Sequence, residues 1–375
     1  MKKKSKKRLE SHYLVPDLEK IFRKNRMRRD NAEFTLHADM LSGYVSFASS
    51  LHSIILSYFD TERALKELQT VYYYQRFDGA IPLMMKTGRR IPSGARLFFL
   101  LFRRMFDDSG MTYLVGPPMG LYALARLSSN SDMVKSLKEL LPFAQREIYF
   151  MENTRELWGE GLPAIIHPLE SGFLMSDVYD EVLDVEVKGK VGFYRQLLQM
   201  RTLLSVAENA EWGNMPTISD MPFRFIDPLF CTVYLAGLNA LRTSDLQMDT
   251  SMKEHLKNKV QTITANVEER LWSDEYECYL PHYFQDGWKP VKSISIASIL
   301  MLFSGMIDKS RAEQMVNRYL MPGYGFWQHI PLSGSIGDNY INKELRQYRG
   351  YAVNIVFNWM VYHGLLKYGY ADMAE

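Results

Sequence analysis

This sequence of 375 residues contains few cysteines and no long run of apolar residues. Cys231 and Cys278 are its only cysteines, which argues against a disulfide framework and a cysteine-based zinc site. No stretch of about 18 apolar residues offers a membrane span, and no apolar region follows the N-terminal lysines as a secretory signal requires. The sequence therefore predicts a cytoplasmic protein without a transmembrane segment.

The overall charge is nearly balanced, with 45 Lys/Arg against 43 Asp/Glu and a formal net charge of +2. A nearly neutral net charge does not indicate nucleic-acid binding, because that function normally needs a basic face. The sequence has no P-loop, dinucleotide fingerprint, HExxH zinc motif or GxSxG motif. Its eight histidines show no metal-ligand spacing, so we expect neither a metal site nor a cofactor.

The N-terminal segment departs from this balance, because residues 1–30 contain twelve Lys/Arg in the runs MKKKSKKRLE and RKNRMRR and at Lys20. Such clusters attract anionic membranes or nucleic acid, although a solvated tail is the simpler interpretation. We expect a loosely attached basic tail over residues 1–30. A single domain should cover residues 31–375, since no linker or compositional break divides them.

Apolar residues recur at three- and four-residue steps along most of the chain, which is typical of amphipathic helices. Predicted helices cover residues 39–58, 61–75, 95–106, 117–128, 132–149, 190–209, 227–243, 250–272, 293–305, 309–319 and 350–369. Asp60, Asn130 and Asp308 are expected as N-caps. This succession of helical hairpins indicates an all-α toroid, with long loops at its mouth. Aromatic rings, carboxylates and guanidinium groups in those loops suit a sugar ligand.

Short sequence landmarks occur in a fixed order along the chain. They are YFDTERA at 58–64, DGAIPL at 78–83, GPP at 116–118, HPLESG at 167–172, IDPLFC at 226–231, QYRG at 347–350 and NWMVYHGLLKYGY at 358–370. Together they resemble glycoside hydrolase family 63, in particular its mannosylglycerate and glucosylglycerate hydrolases. The resemblance implies an (α/α)6 toroid of the six-hairpin glycosidase type, with a funnel-shaped pocket that binds a small saccharide or glycoside.

The chain departs from this family at the catalytic positions. The family segment Glu-Ser-Gly-Leu-Asp-Asn-Ser-Pro carries the general acid as its Asp, and the matching residue here is Leu174, which has no proton to donate. Inverting hydrolysis needs that acid and a second carboxylate that activates water. In the family this second residue is a Glu beyond the last landmark. Because the chain ends at Glu375, we expect the general-base segment to be absent, which leaves open a toroid without its last helices.

Other family positions that contact sugar have lost polar groups: Phe47-Ala48 replace Trp-Asp, Gly116 replaces Gln and Leu169 replaces Trp. The candidates for substrate binding are His167, Glu170, Asp180, Asp227, Trp327, Tyr348 and Arg349. Two interpretations of these residues stay open. They form a residual sugar or anion pocket, or they are structural, with His-Pro and Asp-Pro setting loop geometry and Glu170 accepting backbone hydrogen bonds.

Three hypotheses remain at this point. The favoured one is a catalytically impaired family member with a carbohydrate-type pocket. The second is an active inverting α-glycosidase for a small glucoside or mannoside, in which Asp177 or Asp180 replaces the acid. On a helix, Asp177 would lie about 5 Å from Leu174, one turn further along the same face. The third is an unrelated role, in which the basic tail attaches the protein to a membrane or nucleic acid.

Overall fold

The computed structural model describes residues 14–36, 43–87, 100–156, 161–173, 176–185, 189–209, 221–322, 325–327, 332–334 and 353–374. Helices dominate these residues. The α-helices are α1 (Leu14–Lys24), α2 (Ser46–Leu56), α3 (Thr61–Tyr73), α4 (Met119–Leu127), α5 (Val134–Lys138), α6 (Leu141–Phe150), α7 (Gly189–Asn209), α8 (Pro228–Arg242), α9 (Thr250–Asn266), α10 (Lys309–Tyr319), α11 (Ile355–Lys367) and α12 (Ala371–Ala374). No described helix is both long and apolar enough to cross a membrane.

Shorter helical segments continue or connect these helices. Single π-helical turns, Met151–Arg155 and Val267–Leu271, directly follow α6 and α9. The 3-10 segments are Arg103–Met105, Pro168–Ser171, Asp177–Tyr179, Ile296–Ser298 and Leu300–Ser304. Two of them, Pro168–Ser171 and Asp177–Tyr179, lie in the stretch that contains the candidate site.

The strands are short and all their pairings are antiparallel. They are β1 (Arg26–Arg29), β2 (Ala32–Thr35), β3 (Tyr44–Val45), β4 (Met84–Met85), β5 (Phe225–Ile226), β6 (Trp272–Ser273), β7 (Cys278–Tyr279), β8 (His282–Phe284) and β9 (Trp288–Pro290). Strand β1 pairs with β2, β3 with β4, and β6 with β7, whereas β5, β8 and β9 form a three-stranded sheet in that order. Strands of this length serve as connectors between helices.

The core is built from an inner layer of helical segments that pack side by side. Helix α2 packs against α4, α4 against α8, α8 against Leu300–Ser304, and that segment against α11. Nearly every residue of α4 and α8 is buried, whereas α9, which packs on the outside of α8, buries only one apolar stripe. Helix α3 covers α2 in the same way. This arrangement of inner helices and outer covering helices is that of an all-α toroid.

The N-terminal ends of the inner segments meet at one end of the toroid, which is the expected place for a mouth. Backbone hydrogen bonds or β-bridges connect residues at or near the starts of inner segments with one another or with neighbouring loops. The pairs are Ser46 with Leu83, Leu83 with Leu114, Ile165 with Phe225, Ile296 with Gly334, and Ser333 with Val353. The pairing of Ile165 with Phe225 joins the loops with HPLESG and IDPLFC, and the Val115 amide, just before GPP, donates to Glu170 of HPLESG at 3.0 Å. These three loops therefore converge, as the resemblance to family 63 implies.

Several helix predictions agree closely with the structure, including those for α3, α4, α7, α8, α9 and α10. The N-caps Asp60 and Asp308 accept hydrogen bonds from the amides of Arg63 and of Ser310 and Arg311. Asn130 was predicted wrongly as an N-cap, since α5 begins at Val134 after a turn. The expected helix 132–149 is divided into α5 and α6, because Pro142 lies in the first turn of α6 and has no amide to continue a preceding helix.

Two further predictions need correction. The helix expected over 293–305 is instead a pair of 3-10 segments that end at Gly305 in the left-handed region. The expected loose attachment up to residue 30 is wrong for residues 14–30, which form α1 and β1. Phe22 is buried against His52 and Phe59, and Arg63 donates to the Phe22 carbonyl at 2.9 Å. The boundary between a tail and a domain stays a prediction.

Candidate functional site

Glu170, in the 3-10 turn Pro168–Ser171, is completely buried and fully engaged in hydrogen bonds. Its Oε1 accepts from the Val115 amide at 3.0 Å and from Nη2 of Arg155 at 2.6 Å, while Oε2 accepts from the Ile166 amide at 2.9 Å. Burial raises the pKa of Glu170, and the charge of Arg155 and the two amides oppose that shift. Glu170 therefore holds the HPLESG turn against the loop before α4.

His167 caps the same turn from its N-terminal side. Its Nδ1 accepts from the Leu169 amide at 3.0 Å, so the proton of the neutral ring lies on Nε2, which donates to the Met200 carbonyl at 3.0 Å. Burial lowers the pKa of His167 to about 4. The ring is thus a neutral link between this turn and α7. Gly172 ends the turn with a φ of 74°, in the left-handed region that favours glycine.

Asp227 begins α8 and is also buried. Its Oδ1 accepts from the Phe230 amide at 3.0 Å, and its Oδ2 accepts from the Tyr179 hydroxyl at 3.1 Å. Burial raises the pKa of Asp227 to about 6. The carboxylate acts as a helix cap and ties α8 to the Asp177–Tyr179 turn, so both of its oxygens are already used within the protein.

Asp177 and Asp180 differ from Glu170 and Asp227 because both are half-buried. Asp177 begins the second 3-10 turn, next to the Ser176 hydroxyl, and Asp180 follows that turn. The Oδ1 of Asp180 accepts from Nε2 of the buried Gln196 on α7 at 2.9 Å. Of the carboxyl groups in residues 167–180, these two are accessible to solvent, whereas Glu170 is not.

The positions at which the resemblance to family 63 implies polar residues that this sequence lacks are apolar and closely packed. Ala48 on α2 and Leu169 are both buried. A Cβ atom added to Gly116 would lie 3.2 Å from Cδ1 of Leu83 and 3.4 Å from Oγ of Ser46. A longer side chain at residue 116 therefore requires Leu83 to move, and the present packing is adapted to glycine.

The structure describes only one of the remaining candidates. Trp327 is half-buried and packs against the main core. Leu174, Tyr348 and Arg349 lie outside the described residues. Within the described ranges, no group of three or more His, Cys, Asp or Glu side chains is arranged to hold a metal ion.

The family model for the mannosylglycerate hydrolase MGH1-like glycoside hydrolase domain matches residues 43–375 of the chain. The chain belongs to this family. A mannosylglycerate hydrolase of Rubrobacter radiotolerans is 21% identical to this MGH1-like chain over 88% of the chain and 80% of its own length. The mannosylglycerate hydrolase MGH2 of Selaginella moellendorffii is 25% identical over 94% of the chain and 75% of its own length.

Solved structures give the same fold for the MGH1-like chain. The GH63 mannosylglycerate hydrolase from Thermus thermophilus, in complex with Tris and D-glycerate, matches with a TM-score of 0.78 at 20% identity, over 96% of this chain and 89% of that chain. Its complex with glucose gives a TM-score of 0.75 at 20% identity, over 96% and 88% of the two chains. The predicted all-α toroid and the resemblance to family 63 are confirmed.

Sequence reasoning did not find the side chains that engage the candidate carboxylates of this MGH1-like chain. Arg155 binds Glu170, Tyr179 binds Asp227 and Gln196 binds Asp180. Arg155 lies in a π-helical turn and Gln196 in the middle of α7, with no local motif around either residue. Only the three-dimensional arrangement of these distant segments identifies the pairs.

Proposed function

We propose that this chain is a glycoside hydrolase-like protein that keeps a carbohydrate-type pocket and is catalytically impaired. The observation that best supports catalytic impairment combines the sequence and the geometry of the stretch HPLESGFL. Residue 174, at the position of the family's general acid, is leucine. The one carboxylate of that stretch, Glu170, is buried and bound to Val115, Ile166 and Arg155. Neither residue supplies a proton to a glycosidic oxygen.

The missing acid has a large kinetic consequence. General acid catalysis typically contributes about 10² to 10⁴ in rate, and inverting hydrolysis depends on an acid and a base about 6.5–9.5 Å apart. The apolar residues Ala48, Gly116 and Leu169 also remove hydroxyl contacts that the family resemblance implies. Loss of the proton donor and loss of substrate positioning are separate effects, and each lowers the rate of hydrolysis.

The proposed ligand is a small saccharide or glycoside, with Trp327, Tyr348 and Arg349 as its contacts. The complexes of the Thermus thermophilus relative with D-glycerate and with glucose support this ligand class. His167, Glu170 and Asp227 were also predicted to bind substrate, but their buried hydrogen bonds support structural roles instead. A cytoplasmic location stays a prediction from the sequence.

Ligand binding and turnover test the proposal together. Isothermal titration with glucose, D-glycerate and mannosylglycerate should detect binding that Trp327→Ala weakens, whereas Lys289→Ala, at an exposed residue of β9, is the surface control. The protein should release no sugar from mannosylglycerate or glucosylglycerate above a heat-killed control. If the protein binds none of these three compounds, the carbohydrate pocket is wrong.

A second candidate function, an active α-glycosidase with a relocated acid, is favoured by one observation: Asp177 and Asp180 are half-buried rather than enclosed. Its test is specific. Sugar release by the unmodified protein that is lost in Asp177→Asn or Asp180→Asn, and kept in Asp184→Asn, would establish this function. Asp184 is the matched control because it is exposed in the same segment, and its φ of 50° is one that asparagine also adopts.

A further inference from the structure

The charge of the chain is distributed unevenly between its N-terminal segment and the rest. Residues 1–30 contain twelve Lys/Arg and four Asp/Glu, whereas residues 31–375 contain 33 Lys/Arg and 39 Asp/Glu. A nearly neutral protein is therefore basic over its first thirty residues and acidic over the remainder. An asymmetry of this kind orients a protein at an anionic surface, because the acidic remainder is repelled while the basic segment is attracted.

The second half of this basic segment is folded onto the domain at a fixed position. Phe22 anchors α1 by packing on His52 of α2 and on Phe59, with ring centroids 5.4 and 5.9 Å apart. Strand β1 continues the chain as a hairpin with β2. Cations on α1 therefore project from a defined face of the domain.

Three cations lie on the C-terminal half of α1: Lys20, Arg23 and Lys24, all exposed. In β1, by contrast, Arg26 and Arg28 are held by the carboxylate of Glu33 at 2.5 and 2.8 Å. The acidic residues of α1, Asp17 and Glu19, are in its N-terminal half, which leaves the cations together at the end nearest the hairpin.

An apolar side chain is exposed beside these cations. Ile21 lies between Lys20 and Arg23 in sequence and is 53% exposed. A phosphate backbone alone offers no favourable environment to such a side chain. A membrane interface does, since it combines anionic headgroups with an apolar layer in which aliphatic side chains insert.

We propose that α1 is a docking surface for membranes that contain anionic phospholipids. Lys20, Arg23 and Lys24 contact the headgroups, and Ile21 enters the interfacial layer. The surface is independent of the proposed carbohydrate pocket, so either function stands without the other.

Vesicle co-sedimentation of the full chain tests the proposal, with phosphatidylcholine vesicles that contain either no or about 30% phosphatidylserine. We expect binding only to the anionic vesicles, and its loss at about 1 M salt. Lys20→Glu/Arg23→Glu/Lys24→Glu should weaken binding at least about tenfold. Lys253→Glu/Lys292→Glu/Lys309→Glu makes the same charge change at exposed lysines elsewhere and should weaken binding far less.

The variant Ile21→Asp distinguishes membrane binding from a general attraction to polyanions, because only membrane binding uses the apolar side chain of Ile21. It should weaken vesicle binding at least about threefold while circular dichroism and thermal unfolding stay as in the unmodified protein. A labelled DNA duplex of about 20 base pairs serves as the competing polyanion. Equal binding to neutral and anionic vesicles, equal loss in the two triple variants, or tight DNA binding with no effect of Ile21→Asp would each overturn the proposal.

Discussion

The guanidinium of Arg155 donates to Oε1 of Glu170 at 2.6 Å, and both side chains are buried. Glu170 also accepts from the amides of Val115 and Ile166, so one carboxylate joins three segments of the toroid near its mouth. A buried pair of this kind depends on both charges, because either one alone is left desolvated without compensation. These contacts support a structural role for Glu170.

Glu170→Gln should lower the free energy of unfolding by about 3–5 kcal/mol, because it leaves the buried Arg155 without a countercharge. Urea denaturation followed by circular dichroism measures the change. Glu181→Gln, at an exposed residue of the same region, is the control and should stay within about 0.5 kcal/mol of the unmodified protein. A stable Glu170→Gln protein that no longer binds sugar would instead make Glu170 a ligand-binding residue.

Asp227→Ala should destabilise the protein by about 2 kcal/mol, because it removes the cap of α8 and leaves the buried Tyr179 hydroxyl without its acceptor. Asp249→Ala, at the N-cap of the outer helix α9, is the matched comparison and should cost about 1 kcal/mol. Thermal and urea unfolding give both values. Equal losses at the two caps would contradict a structural contribution from the contact between Asp227 and Tyr179.

Because of Glu147, we expect the free energy of unfolding to fall as the pH rises. It is buried on α6 with no hydrogen-bond partner for Oε2, and burial raises its pKa from 4.5 to about 8. Between these two pKa values the folded state holds one proton more than the unfolded state, so the free energy of unfolding falls as pH rises. The slope is at most about 1.4 kcal/mol per pH unit.

The pH dependence is best measured between about pH 6.5 and 8. Below that window His167, whose pKa burial lowers from 6.5 to about 4, acts in the opposite direction, since the unfolded state then binds more protons. Glu147→Gln should flatten the profile in the window, and Glu139→Gln, at an exposed residue just before α6, should not. A steep slope that persists in Glu147→Gln would assign the effect to another group.

Gly116→Gln, which introduces the residue that the resemblance to family 63 implies at this position, should destabilise the protein by about 1–3 kcal/mol because its Cβ would crowd Leu83. Leu83→Ala opens that space but loses buried apolar contacts. In a double-mutant cycle the two changes should compensate, so that their combined effect is smaller than the sum of the single effects. Strict additivity would show that Leu83 does not limit the side chain at residue 116.

The sequence predicted the elements whose signals are local. Amphipathic periodicity located α3, α7, α8 and α9, and Asp60 and Asp308 were correctly identified as caps. Strands β5, β8 and β9 have only two or three residues each, too few for alternation to be recognised. The 293–305 region is rich in serine and β-branched isoleucine, which weakens its helix propensity and accounts for the 3-10 segments observed there.

The candidate site was predictable only as a set of motifs. HPLESG and IDPLFC indicated His167, Glu170 and Asp227 as conspicuous polar residues, but not whether they face a ligand or the interior. That distinction depends on contacts between segments far apart in the chain, such as Arg155 with Glu170 and Met200 with His167. Burial of a carboxylate is a tertiary property that no local pattern encodes.

The time course of sugar release from mannosylglycerate and glucosylglycerate is the measurement that tests the central claim most directly. The account predicts that the unmodified protein releases no more sugar than its heat-killed control. It also predicts that Leu174→Asp alone recovers little or no activity, since the proposal assigns a loss of hydroxyl contacts to Ala48, Gly116 and Leu169 as well. Clear turnover by the unmodified protein that Asp177→Asn or Asp180→Asn abolishes would contradict the account and establish a relocated acid.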